Sequence, residues 1–319
     1  MQSPLRYPGS KSALVDYFDT VIKENLFAGC DLFELYAGGA SLSLGLLERG
    51  TIARTTLVEK DPLLYAFWKV IVTQPDALCE RIEHYRVDIK EWQRHRRYLQ
   101  PGVLKKFSLL ELGAACLFLN RTSFSGVLGA GPIGGRLQRS EYSIDCRFNK
   151  KRLVEQVSKI AKYRRRITVA YGDALTYLRK NRSRFERLHC LTYLDPPYFV
   201  QGERLYRYWY ARSDHERLAA EVCRLNVPWI VSYDDVPEIH QMFVGQKIVP
   251  ILLNYAVKQS RRVRELLISN YPLTAPRYEP TGLTRQDTSD DSRPAISRRG
   301  LSLSCAAKPS AQKLVHFGD

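Results

Sequence analysis

A chain of 319 residues, 45% of them apolar, is long enough for one or two domains with a large core. It contains no run of about 20 apolar residues, so no helical membrane span is expected, and the opening MQSPLRYPGSK lacks the apolar segment of a signal peptide. The net charge of +16 attracts polyanions and makes nucleic acid the leading partner, although charge alone does not separate specific from non-specific binding.

Taken in chain order, CDLFELYAGGASLSLGLLERG from Cys30 reads as strand, tight turn and helix, the helix ending near Gly50. TTLVEKDPLLYAFWKVI continues with a short strand to Glu59 and a helix from about Pro62, where proline suits the first turn. This βαβα opening predicts an α/β fold with a mostly parallel sheet. Residues 76–119 read as helical and carry basic clusters such as Arg94–Arg97 and Lys105–Lys106. NRTSFSGVLGAGPIGGRLQRS, from Asn120, is rich in glycine and serine and reads as a loop, too long for a plain connection. KKRLVEQVSKIAKYRRR, from Lys150, is a basic amphipathic helix. ITVAYGDAL, LHCLTYLDPPY, VPWIVSYDD and ELLISNY supply further strands. After Pro272 the composition turns to Ser, Thr, Arg and Pro without a period, and disorder is expected from about residue 275. The cysteines at 30, 79, 116, 146, 190, 223 and 305 are odd in number and form no CxxC. Neither a disulfide framework nor a metal site is expected, and a reducing, cytoplasmic setting fits.

Several strand ends carry side chains with chemical potential. The turn after the first strand, with Tyr36, Ala37 and Gly38, allows close approach of a ligand to backbone and to a helix N-terminus. It is not G-x-G-x-x-G, and many ligand-free α/β turns are glycine-rich. Glu59 ends the next strand, where an acid can accept from two ribose hydroxyls. The alternative is a helix N-terminal acid, a role for which Asp61 is better placed. Asp173 follows the strand ITVAY and can accept from an adenine amine or cap the helix after it. LTYLDPPYFV is the most specific stretch. Asp195 ends a buried strand, and Pro196 and Pro197 stop the ladder and fix a stiff corner that presents Tyr198.

On these residues the chain resembles the amino-methylating DNA methyltransferases that use S-adenosylmethionine, and most of all the Dam-type (D12 class) DNA adenine methylases. The matching stretches are RYPGSK at 6–11, LYAGGAS at 35–41, LVEKDP at 57–62, FLNRTSFSG at 118–126, YGD at 171–173, LDPPY at 194–198 and ELLISNY at 265–271. They occur in the family's order over roughly residues 3–272, and LDPPY is the most specific of them.

The resemblance implies a Rossmann-like methyltransferase fold. Residues 1–70 and 166–274 would form the cofactor-binding catalytic domain and 71–165 a helical target-recognition insert, while the disordered tail expected at 275–319 has no counterpart in the family. It implies methyl transfer from S-adenosylmethionine to adenine N6 in double-stranded DNA, with no membrane, by a monomer or weak dimer. Asp195, Pro196, Pro197 and Tyr198 would be catalytic. Tyr7, Lys11, Tyr36, Ala37, Gly38, Glu59, Asp173 and Asp195 would hold the cofactor, Lys11 meeting its carboxylate. Without the family, Tyr7 and Lys11 read as an N-terminal arm with an exposed lysine. Asn120, Arg121, Ser123, Phe124 and Ser125 would face DNA, Phe124 as a wedge beside the extruded base and Arg121 on a phosphate or a guanine edge. A loop whose phenylalanine packs on the body is the alternative. Ser10 and Ala40 stand where the family often has glycine, so Ala40 is expected to keep a negative φ. Glu59 replaces the usual aspartate, and the stretch from Val127 does not resemble the recognition segment of the GATC methylases. Two other readings stay open: a methyltransferase for another nucleobase amine, such as cytosine N4 or an RNA base, and a non-catalytic DNA-binding homologue.

Overall fold

Alternation along short apolar strands sets the architecture. In the computed structural model, which describes residues 1–7, 10–25, 27–200, 202, 207–257 and 259–271 (253–257 and 259–263 by backbone only), five strands run parallel. These are β1 (Asp31–Glu34), β2 (Arg54–Glu59), β3 (Ile167–Tyr171), β4 (Cys190–Leu194) and β5 (Trp229–Asp234). β6 (Lys247–Val257) and β7 (Gln259–Ser269) pair antiparallel, and β7 pairs antiparallel with β5. The order is β3-β2-β1-β4-β5-β7-β6. The tail expected to be disordered lies outside the described residues.

Successive side chains of a strand face opposite sides. Leu32 of β1 with Leu191 and Tyr193 of β4 enters one core, while Phe33 with Cys190 and Leu194 enters another. Both faces are therefore apolar, as a parallel sheet covered on two sides requires. The first core takes in α1 (Val15–Glu24), α2 (Ser41–Arg49), α3 (Pro62–Thr73), α4 (Pro75–His84), α6 (Leu109–Thr122) and α7 (Lys150–Ala161). The second takes in α8 (Ala174–Phe185), α9 (Arg212–Val222) and α10 (Pro237–Met242). α1, α9, α10 and β6 add to the elements read from the sequence. No helix among the described residues is long and apolar enough to cross a membrane.

The helix boundaries follow local chemistry. Asp61 accepts the Leu63 amide at 2.8 Å with Pro62 at the first helical position, and Gly50 closes α2 at φ 72°. Between residues 75 and 122 the chain is helical but broken: α4, α5 (Ile89–His95), short 3-10 turns and α6, which opens on a capping box between Ser108 and Glu111. Asn120, Arg121 and Thr122 belong to α6 and not to the loop expected to start at Asn120. The Ser123 amide still donates to the Leu119 carbonyl at 2.8 Å, and only at Ser123 does the backbone become extended.

The chain reverses direction across the sheet between β1 and β4, so the crevice at their C-terminal ends is the natural place for a ligand. α6 lies against α3 through Gly113, where an added Cβ would stand 3.0 Å from the Ala66 carbonyl oxygen and 3.1 Å from the Phe67 Cα. Both neighbours are backbone and cannot rotate away. Gly113→Leu is expected to lower unfolding stability by about 3 kcal/mol in urea titration.

Candidate active site

Four strand ends surround one cleft with about 1120 Å³ of empty space, part of it open to solvent. Its walls include Glu34 to Ser41 after β1, Glu59 to Asp61 after β2, Gly172 to Ala174 after β3, and Asp195 and Pro197 after β4. Tyr7, Lys11, Asn120, Gly126, Arg207, Tyr208 and Tyr210 also line it. Of the residues proposed from the sequence for a cofactor, Tyr7, Lys11, Tyr36, Ala37, Gly38, Glu59, Asp173 and Asp195 all line this cleft.

The turn after β1 is held from three sides. The Gly38 amide donates to a Glu59 carboxylate oxygen at 2.9 Å, Trp68 Nε1 donates to the Gly38 carbonyl at 2.9 Å, and the Ala37 amide donates to the Val58 carbonyl at 3.0 Å. Gly38 has φ 44°, and a Cβ there would lie 2.7 Å from the Tyr7 ring, so glycine is required twice over. Ala40 does not keep the negative φ expected of it. It sits at φ 48° and ψ 25°, its amide donating to the Ala37 carbonyl at 2.6 Å as α2 begins. A left-handed alanine costs roughly 1–2 kcal/mol, which the bonds around the turn offset.

The acids divide their work. Glu59 is buried and accepts the Asp61 amide at 2.8 Å as well as that of Gly38. Burial pushes its carboxyl up to about 7 against those hydrogen bonds. A carboxylate has about four lone-pair sites, so acceptor capacity toward the cleft remains. Burial likewise pushes Glu34 up to about 8. Asp61 takes the helix-cap role and pairs with Arg207 at 2.9 Å. Asp173 caps α8 through the Thr176 amide at 3.2 Å and pairs with Lys60 at 3.1 Å, while still lining the cleft.

At the LDPPY corner, Phe199 and Val200 donate their amides to Asp234 at 2.8 and 3.0 Å, which pins the chain after the prolines. Asp195 accepts from Ser232 Oγ at 2.7 Å and pairs with Lys11 at 3.0 Å. Burial raises the Asp195 carboxyl and Lys11 opposes the shift. Lys11 is not the exposed lysine of a bare N-terminal arm: only 4% exposed, it also lies 3.6 Å from Glu265 and donates to the Tyr198 hydroxyl at 3.2 Å. That hydroxyl donates to Glu265 at 2.7 Å. Trp68, Arg207, Ser232 and Glu265 were not legible as site residues. The first, third and fourth sit in apolar runs that read as core, and Arg207 is one arginine among many.

The hairpin residues separate in the same way. Asn120 is buried, accepts the Arg6 amide at 2.7 Å, and donates to the Arg6 and Gly126 carbonyls, each at 2.8 Å. Ser123 is buried and accepts from Trp92 Nε1 at 3.1 Å. Arg121 Nε donates to the Pro4 carbonyl at 2.6 Å, and burial lowers its guanidinium to about 10 with Arg6, Arg152 and Arg147 nearby. Asn120 and Arg121 thus hold the N-terminal arm, and Ser123 is hydrogen-bonded to α5. Phe124 is 52% exposed, and Ser125 turns the chain at φ 53°.

The family model for D12 class N6 adenine-specific DNA methyltransferases matches residues 7–257. No curated protein sequence matches the chain. Among solved structures, a Pyrococcus horikoshii protein assigned as an RNA methyltransferase is 12% identical, with 83% of this chain and 84% of that one covered and a TM-score of 0.36. The rRNA methyltransferase aviRa of Streptomyces viridochromogenes is 15% identical in two crystal structures, with 83% and 86% covered and TM-scores of 0.35 and 0.37. At these TM-scores the likeness decides nothing further.

The arm passes close to Gly126, which has φ 77° and whose Cβ, if added, would run into the Arg6 carbonyl oxygen. Gly126→Ala is expected to release the arm, seen as faster proteolytic cleavage before residue 11 while the far-ultraviolet circular dichroism stays unchanged.

Proposed function

The chain belongs to the D12 class N6 adenine-specific DNA methyltransferase family, and from that footing we propose how its cleft and corner carry the reaction. The protein methylates adenine N6 in DNA, and the reaction depends on S-adenosylmethionine. Bound in the cleft, S-adenosylmethionine supplies the methyl group.

The residues of the cleft suit that cofactor. Spare acceptor sites on Glu59 fit ribose hydroxyls, and Asp173 at the far strand end fits an adenine amine. The turn from Tyr36 to Gly38 lines the same cleft, with Tyr7 packed over Gly38. The observation that carries the assignment is the corner itself: Asp195 and Pro197 open into this cleft at the end of β4.

An adenine amine is a poor nucleophile because its lone pair is delocalised into the ring. The Asp195 carboxylate and the Pro196 carbonyl each accept one N–H, which favours a tetrahedral nitrogen with its lone pair free. Positive charge then appears on N6, and Asp195 stabilises it. The prolines, with Asp234 holding the Phe199 and Val200 amides, keep these acceptors in position. A base inside a duplex is out of reach, so it is turned out and stacked on Tyr198. Phe124, exposed in the 3-10 turn that follows α6, fills the gap. Residues 71–165 form the target-recognition part, and the basic face of α7 meets phosphates. The protein works on double-stranded DNA in the cytoplasm as a monomer or weak dimer.

Methylation sequencing of DNA from cells expressing the protein is expected to show N6-methyladenine in one short motif, and none with Asp195→Ala. A full mark in the variant would overturn the role given to Asp195. A second expectation follows from Glu59. Below about pH 7 its carboxyl holds a proton and loses an acceptor; above, it is ionised. Affinity for S-adenosylmethionine should rise roughly tenfold from pH 6 to pH 8 in titration calorimetry, and Glu59→Gln should flatten that dependence.

A further inference from the structure

The arrangement at Asp195 carries an electrostatic difficulty. An ammonium 3.0 Å from a carboxylate neutralises much of its charge, yet methyl transfer calls on that charge as N6 becomes positive. Glu265 bears on this. Its carboxylate is fully buried on β7, lies 3.6 Å from Lys11 and accepts the Tyr198 hydroxyl at 2.7 Å. Lys11 thus stands between two carboxylates, and its charge is shared between them.

Packing does not explain an acid at this position. Leu266, Leu267 and Ile268 follow it as buried apolar neighbours. Asp234 is its register partner on β5, and like charges directly opposite one another are unfavourable. A buried ion group of this kind is commonly no more stable than an apolar replacement.

We propose that Glu265 is a positioning residue for methyl transfer: it offers Lys11 a second carboxylate and holds the Tyr198 ring by its hydroxyl, so that Asp195 keeps its charge for the incoming amine. The inference rests on the methyltransferase assignment above. Asp195 is faced by Lys11 from the N-terminal arm, Glu265 from β7, Ser232 from β5 and Glu34 from β1, with Tyr193 on its own strand.

The test uses the full chain, genomic DNA from a host without adenine methylation, and S-adenosylmethionine with a tritiated methyl group. Glu265→Gln removes the charge and keeps an oxygen for Tyr198. It is expected to lower kcat about 10- to 100-fold while KM for S-adenosylmethionine stays within about twofold. Glu265 raises the Asp195 carboxyl, so its loss should move the acid limb of the kcat profile to lower pH. The double variant Lys11→Met with Glu265→Gln should be more active than Glu265→Gln alone, because Asp195 is then left unpaired. Glu265→Asp, which keeps the charge, should stay within about tenfold of the parent and serves where the glutamine variant does not fold. Unchanged kcat and pH profile in Glu265→Gln, or a double variant worse than it, would overturn the inference. So would a folded Glu265→Asp as inactive as Asp195→Ala. A parent chain that leaves adenine unmethylated would overturn the assignment and the inference together.

Discussion

A lysine only 4% exposed, set between two carboxylates, ties the ends of this fold together. Burying an ion costs several kcal/mol unless its partners are well placed. Lys11 near the N-terminus, Asp195 after β4 and Glu265 on β7 can satisfy one another only when the sheet is complete and the antiparallel strand is in register. Departure of the arm would take the Lys11 charge from both acids. The reactive corner thus draws its charges from the arm, the end of β4 and β7.

The arm's remaining contacts point the same way. Asn120 brackets Arg6 on both its amide and its carbonyl, Arg121 takes the Pro4 carbonyl, and Gly126 leaves room for the Arg6 backbone. Farther along, Tyr7 covers Gly38 in the turn that Glu59 and Trp68 hold. One short segment therefore touches the hairpin, the glycine turn and the LDPPY corner. A displacement of the arm would be felt at both ends of the cleft, where the cofactor and the target amine are placed.

Local rules made much of this legible. Residues that announce themselves by backbone chemistry were readable: the glycine turn, Pro62 with Asp61 as cap, and the two prolines after Asp195. Residues defined by their partners were not. Asn120 and Ser123 have the types that meet DNA, and nothing local tells that their hydrogen bonds go to Arg6, Gly126 and Trp92. Glu265 reads as the edge of an apolar strand, and its meaning comes from Lys11 and Tyr198. Ala40 misled because its positive φ is imposed by the bonds of the turn around it, against the preference of its own side chain.

The sequence by itself determined the class of the fold, the order of its motifs and the chemistry available at each strand end, because strand alternation, turn residues and proline act over a few neighbours. Tertiary structure alone decided which charges meet. Lys11 lies on Asp195 and Glu265, Arg121 faces inward, and Phe124 faces out. Those outcomes depend on distances across the sheet between residues far apart in the chain, and on a burial that makes each ion seek a partner.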